Sequence, residues 1–132
     1  MKILVLDPYP KCNYRVSKDT SGGYGTASDF GNSFVSKILK KKFKQNSNWP
    51  PLFSAYTFSA LKKNDHDVRY SQNIPSDINS FKLIIIVSSI VSYETEIDKI
   101  TKIKKNYSNI NIFVIGPFAT NNPNLYLKYN VS

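Results

Sequence analysis

Three short apolar runs constrain this chain more than anything else in it. They are Ile3-Leu4-Val5-Leu6, Leu83-Ile84-Ile85-Ile86-Val87 and the stretch from Ile110 to Ile115, each about the length of one strand. A strand with one face in water alternates apolar and polar residues. A run without alternation is covered on both faces, as the central strands of a parallel sheet are. A fourth stretch, Asp67 to Ser71, does alternate, with Val68 and Tyr70 on one face, and predicts a short second strand.

Helical periodicity fills the gaps between these runs. Phe34, Val35, Ile38, Leu39 and Phe43 recur at helical spacing, with Lys37, Lys40, Lys41 and Lys42 mostly on the other side. Asn46 to Asn48 ends that segment. Pro50-Pro51 suits the opening of another helix, because the first turn does not need the N–H that proline lacks. Phe53, Tyr56, Thr57, Ala60 and Leu61 form its expected buried stripe, and Lys62-Lys63-Asn64 closes it. Tyr93, Ile97, Ile100, Ile103 or Lys104, and Tyr107 trace a further amphipathic helix. Glu94 and Glu96 in its first turn, and Lys102, Lys104 and Lys105 in its second half, match the helix dipole. A last, weaker helical segment runs from about Pro123 to Tyr129.

Strands separated by helices imply right-handed crossovers and a parallel sheet. The expected fold is therefore α/β, a flavodoxin-like (Rossmann-like) doubly wound sheet of four strands with a fifth missing. Asn130-Val131-Ser132 reads as the approach to that fifth strand, so the chain is expected to be the N-terminal part of a longer polypeptide. Its 132 residues suffice for one domain.

Several function classes are disfavoured by composition. The longest uninterrupted apolar run is too short to span a bilayer, and Lys2-Ile3 leads into a strand rather than a signal peptide. A single cysteine, Cys12, excludes an internal disulfide and fits a reducing, cytoplasmic setting. The net charge of +9 comes largely from lysines between Lys37 and Lys44 and between Lys99 and Lys105. No nucleic-acid-binding motif accompanies that charge, so an acidic protein partner accounts for it equally well.

In open doubly wound sheets, ligands bind beyond the carboxyl ends of the strands, where the strand order reverses. Those ends are Asp7-Pro8-Tyr9, Ser88-Ser89-Ile90 and Gly116-Pro117-Phe118-Ala119-Thr120. Each alone is what any α/β turn needs. Together they define one expected crevice. Between Tyr9 and Asn32 the chain lacks periodicity, and Gly22, Gly23 and Gly25 suit a lid over that crevice. They match neither the phosphate-binding loop, which ends in Gly-Lys-Ser/Thr, nor a dinucleotide fingerprint, which follows a strand directly. No catalytic constellation is visible. His66, the sole histidine, enters the second strand at the opposite end of the sheet, and Cys12 has no histidine near it in sequence. One His and one Cys do not make a metal site. Asp7 holds the place of a phosphate-acceptor aspartate, but Pro8 follows it and the accompanying acidic pair is missing.

The sequence also resembles a known family. Ile3-Leu4-Val5-Leu6-Asp7-Pro8-Tyr9, Trp49-Pro50-Pro51-Leu52, Ala55-Tyr56, Leu61-Lys62, His66-Asp67-Val68 and Val114-Ile115-Gly116-Pro117-Phe118-Ala119-Thr120 carry the likeness. They resemble the N-terminal cobalamin-binding domain of cobalamin-dependent radical SAM enzymes. In that family a proline pair opens the first helix, Gly-His-x-Val leads into the second strand, and Gly-Gly-Pro-His-Ala-Thr follows the fourth. Here Asp65 stands at the turn glycine, and Pro117-Phe118 alters the later run. The Asp-x-His-x-x-Gly motif of methionine-synthase-type domains, which supplies a cobalt-binding histidine, is absent.

The resemblance implies a bound cobalamin positioned for a separate radical SAM catalytic domain in the same polypeptide. Ser88, Ser89, Ser92 and Thr120 would bond the corrin rim; Tyr9, Ile90 and Phe118 would form the apolar platform, with Pro8, Gly116 and Pro117 beside them. The three-cysteine motif of the catalytic barrel is absent, so no iron–sulfur cluster and no S-adenosylmethionine cleavage are expected from this chain. Two other readings stand beside it: a cofactor-free docking or scaffold domain of the same fold, and a nucleotide- or sugar-nucleotide-binding half of a transferase.

Overall fold

The computed structural model describes residues 1–8, 33–39, 52–90 and 92–132. The strands lie where the apolar runs place them: β1 at Lys2–Leu6, β2 at Asp67–Ser71, β3 at Leu83–Val87 and β4 at Asn111–Ile115. Between and after them stand α1 (Leu52–Lys63), α2 (Tyr93–Asn106), α3 (Pro117–Asn121) and α4 (Asn124–Leu127), with a 3₁₀ turn at Ile78–Ser80. All four strands are parallel, in the order β2-β1-β3-β4. Leu4 of β1 is paired with Arg69 on one side and Ile84 on the other. The chain steps outward from β1 to β2 and then back across β1 to β3, so the strand order reverses between β1 and β3.

Burial explains why β1 and β3 are central. Ile3, Leu4, Val5 and Leu6 are completely buried, and every residue of β3 is buried. Side chains of a strand alternate between faces. Leu4, Leu6, Ile84, Ile86 and Ile112 accordingly join Ile100 and Ile103 of α2 in one core, completed by Ile78, Phe81, Tyr126 and Val131. Ile3, Leu83 and Ile85 face the other way and pack with Leu61 of α1. Each such aliphatic side chain removed from water stabilises the fold by about 1.5–3 kcal/mol. The 11 or so residues joining β2 to β3 do without an α-helix; Ile78 and Phe81 anchor that connection in the core. Beside them Asp77 accepts from the Arg69 guanidinium at 2.9 Å and lies 3.7 Å from Lys2.

The structure corrects the sequence reading in four places. The stripe expected on α1 is displaced: Phe53 and Tyr56 are exposed, whereas Ser54 is the buried residue. Strand β4 is covered on one face only, with Asn111, Phe113 and Ile115 exposed. Glu96 stands in the first turn of α2 as expected, and is in addition completely buried. The final helical segment is shorter than expected, Asn124–Leu127, and a short helix not expected from the sequence precedes it at Pro117–Asn121. Residues 34–39 are helical, yet Phe34, Val35 and Ile38 are exposed; the remainder of that expected helix, to Phe43, lies outside the described residues.

The expected approach to a fifth strand takes a definite form. Ser132 N–H donates to Ile112 C=O at 3.0 Å, and Val114 N–H donates to Ser132 C=O at 2.8 Å. That reciprocal pattern, flanking Phe113, is the bonding of a parallel strand pair. Val131 is buried beneath it. The turn into β2 is equally specific: Asp65 has φ of +58°, a left-handed conformation that aspartate tolerates better than most residues.

Among the described residues, no helix is long and apolar enough to cross a membrane.

Candidate functional site

A parallel sheet brings the carboxyl ends of its strands to one edge, so Asp7, Ser71, Ser88 and Gly116 share the same end of the molecule. Sequence reasoning expected the crevice here. Tyr9 and the lid glycines Gly22, Gly23 and Gly25 lie outside the described residues. His66 begins the approach to β2 at the opposite end, its N–H donating to Leu61 C=O. The described residues contain no group of three or more His, Cys, Asp or Glu side chains arranged to hold a metal. A shallow hollow lined by Asn79, Tyr107 and Ile110 also lies at the far, amino-terminal edge of the strands.

At the tip of β1, Asp7 is completely buried and is followed by buried Pro8. Its backbone N–H donates to Ser71 C=O, continuing the β1–β2 ladder by one bond. The hydroxyl of Tyr70 donates to Asp7 Oδ2 at 2.9 Å, pairing the ends of the two strands through side chains as well. This carboxylate–phenol pair beside the β1/β3 reversal was not selected from the sequence. Its signal was present: Asp7 ends an apolar run, and Tyr70 lies three register positions along the neighbouring strand from Asp67.

The tips of β3 and β4 are fastened together. Ser88 N–H donates to Ile115 C=O at 2.7 Å, and Ser88 Oγ accepts from Ala119 N–H at 2.9 Å. Gly116 has φ of +113°, and a Cβ there would stand 3.2 Å from Ser88 C=O. Both facts favour glycine: L side chains rarely adopt this conformation, and a Cβ would press closer to Ser88 C=O than ordinary van der Waals contact. Pro117 then opens α3, a position where its missing N–H costs nothing.

A buried polar chain continues from this junction. The Tyr126 hydroxyl donates to Glu96 Oε2 at 2.7 Å. Glu96 Oε1 accepts from the Ser92 hydroxyl at 2.6 Å and from Ser89 N–H at 3.1 Å. Burial, together with the neighbouring Glu96 carboxylate, pushes the Tyr126 phenol well above the ordinary tyrosine value. Around the phenol, the rings of Tyr93, Phe118 and Tyr126 meet edge-to-face, with centroids 5.5–6.3 Å apart. That is the favoured geometry for aromatic quadrupoles.

The expected ligand-contacting residues thus divide by what they do. Ser88, Ser89 and Ser92 are buried, and the hydroxyls of Ser88 and Ser92 bond within the protein. Thr120 is exposed, its hydroxyl donating to Gly116 C=O at 3.0 Å. Phe118 is half-buried in the aromatic trio. Ile90 and Pro117 are exposed at the rim. The rim therefore presents apolar side chains and backbone above a floor whose hydroxyls are engaged internally. Comparison with known protein families, curated proteins and solved structures gives no match.

Proposed function

We propose that this domain binds a corrinoid across the carboxyl-terminal ends of its strands and holds it for a catalytic domain elsewhere. The observation that supports the reading is the β2-β1-β3-β4 parallel order, which puts the strand reversal between Asp7 and Ser88. A crevice at such a reversal is where doubly wound domains bind broad cofactors. The residues present suit the group. Ser88, Ser89 and Gly116 carry small side chains or none, which lets a flat ligand approach the backbone. Ile90, 58% exposed, offers apolar surface at the same rim. Tyr70, 36% exposed, carries a phenol at the same end of the sheet that could bond amide substituents.

Cobalt ligation by histidine is not part of the proposal, since His66 stands at the other end of the sheet. The corrinoid would supply the metal-centred group-transfer chemistry; the protein's contribution is to bind and orient. Catalysis would need a further domain. The radical SAM partner belongs to this same reading.

Titration of the 132-residue chain with hydroxocobalamin tests it. The expected result is a shifted visible spectrum and co-elution of the corrinoid with the protein on gel filtration. Ile90→Asp should weaken that binding by about tenfold, because a charge replaces apolar contact. His66→Ala should leave the bound spectrum unchanged. No shift and no co-elution would end the corrinoid reading and favour a cofactor-free docking domain. The internally bonded hydroxyls of Ser88 and Ser92 are the observation that suits that second reading.

A further inference from the structure

Position 96 belongs to the apolar stripe of α2, one residue before Ile97 and four before Ile100. An aliphatic residue would fill it with no charge to bury. Glu96 fills it instead, and its carboxylate is completely removed from water. A buried carboxylate is tolerable only when its oxygens are met by donors, and losing those donors is costly. The donors here come from two different parts of the chain. Ser89 N–H and Ser92 Oγ–H belong to the loop between β3 and α2, and Tyr126 Oη–H belongs to α4, thirty residues away. The β3–α2 loop forms one side of the crevice rim. The segment that follows β4 and ends in α4 forms the adjacent side.

We infer that Glu96 is the positioning residue of this rim. It acts through Ser89 and Ser92 on residues 88–92 and through Tyr126 on residues 117–127, fixing each side against the other. The Ser88 hydroxyl, which accepts from Ala119 N–H, is a second brace between the same two sides. Glu96 touches no ligand in this scheme; it sets the shape the ligand meets. The inference rests on the proposed function only for the identity of that ligand.

Hydrogen exchange on the whole chain decides it, using Glu96→Ala, Glu96→Gln and Tyr126→Phe. Glu96→Ala should accelerate exchange in residues 88–92 and 117–127 by about tenfold, the scale expected for losing hydrogen bonds to a charged group. Residues 2–6 and 67–71 should be unaffected. Glu96→Gln should restore exchange to within about twofold, since its carbonyl still accepts from Ser89 and Ser92 and its amide can donate to Tyr126 Oη. Tyr126→Phe should loosen residues 117–127 alone. Unchanged exchange at the rim in Glu96→Ala, or uniform acceleration that Glu96→Gln does not rescue, overturns the inference.

Should Glu96→Ala fail to fold, Ser92→Ala and Tyr126→Phe each remove one arm. If neither loosens its own segment, the inference is overturned. Hydroxocobalamin affinity provides the second readout: about tenfold weaker in Glu96→Ala and recovered in Glu96→Gln. A wild-type chain that binds no hydroxocobalamin removes the corrinoid reading, while the exchange data still judge Glu96 independently.

Discussion

Tyr126 carries its phenolic proton into the interior and keeps it there, because burial and the Glu96 carboxylate both oppose its loss. The consequence for stability has a definite sign. The folded-state pKa lies above the unfolded one, so the folded chain holds a proton that the unfolded chain releases above about pH 10. Stability from this group is complete below that pH and declines as pH rises beyond it. In a near-ultraviolet titration, tyrosinate absorbance from Tyr126 should therefore appear only as the fold opens, after the exposed tyrosines have ionised. Tyr126→Phe, which deletes a hydrogen bond to a charged acceptor, should cost about 1–3 kcal/mol near neutral pH. The difference from wild type should narrow above about pH 10. A melting-temperature gap that is constant from neutral to alkaline pH would contradict this account.

At the scale of elements, the junction between β4 and α3 is the least tolerant point. Gly116 has a backbone conformation that L side chains rarely adopt, and a Cβ there would crowd Ser88 C=O at 3.2 Å. Gly116→Ala should destabilise the fold by about 1–3 kcal/mol in urea unfolding, with the β3–β4 end loosening first. A variant as stable as wild type would mean that the junction relaxes freely. Gly116 was legible in the sequence as a strand-ending glycine, as were β1 and β3, whose unbroken aliphatic runs leave no polar face. Other elements were legible only in part. In α1, apolar residues such as Leu52, Phe53, Tyr56, Phe58 and Leu61 surround the helix, so periodicity does not say which face is covered. The buried position falls on small Ser54, and Leu61 packs against Ile3, Leu83 and Ile85 of the sheet. Strand β4 is apolar in composition, yet what covers a face depends on the neighbouring elements. The burial of Glu96 was not foreseen, because a glutamate in a first turn ordinarily answers the helix dipole from the surface. The contrary signal was its place on the Tyr93–Ile97–Ile100 stripe.

Across the whole molecule, the two outer strands end the sheet in different ways. β2 turns Asp67, Arg69 and Tyr70 outward, the polar and charged edge that discourages pairing with other chains. β4 exposes Phe113 and Ile115 beside an edge whose backbone groups at Ile112 and Val114 bond to Ser132. Those two bonds, with the buried Val131 side chain, shield part of an apolar edge. Deleting Val131 and Ser132 should cost about 2–3 kcal/mol, from one buried aliphatic side chain and two backbone hydrogen bonds. It should also raise self-association, since a bare edge flanked by exposed aromatic and aliphatic side chains is a template for another strand. Sedimentation velocity over a range of concentrations, beside urea unfolding, measures both effects. Adding Phe113→Lys to the shortened chain should restore the monomer without restoring stability, because a charge on the exposed face blocks pairing but replaces neither lost bond. If the shortened chain stays monomeric and equally stable, Ser132 contributes nothing to closing that edge. The parallel pairing flanking Phe113 would then be incidental.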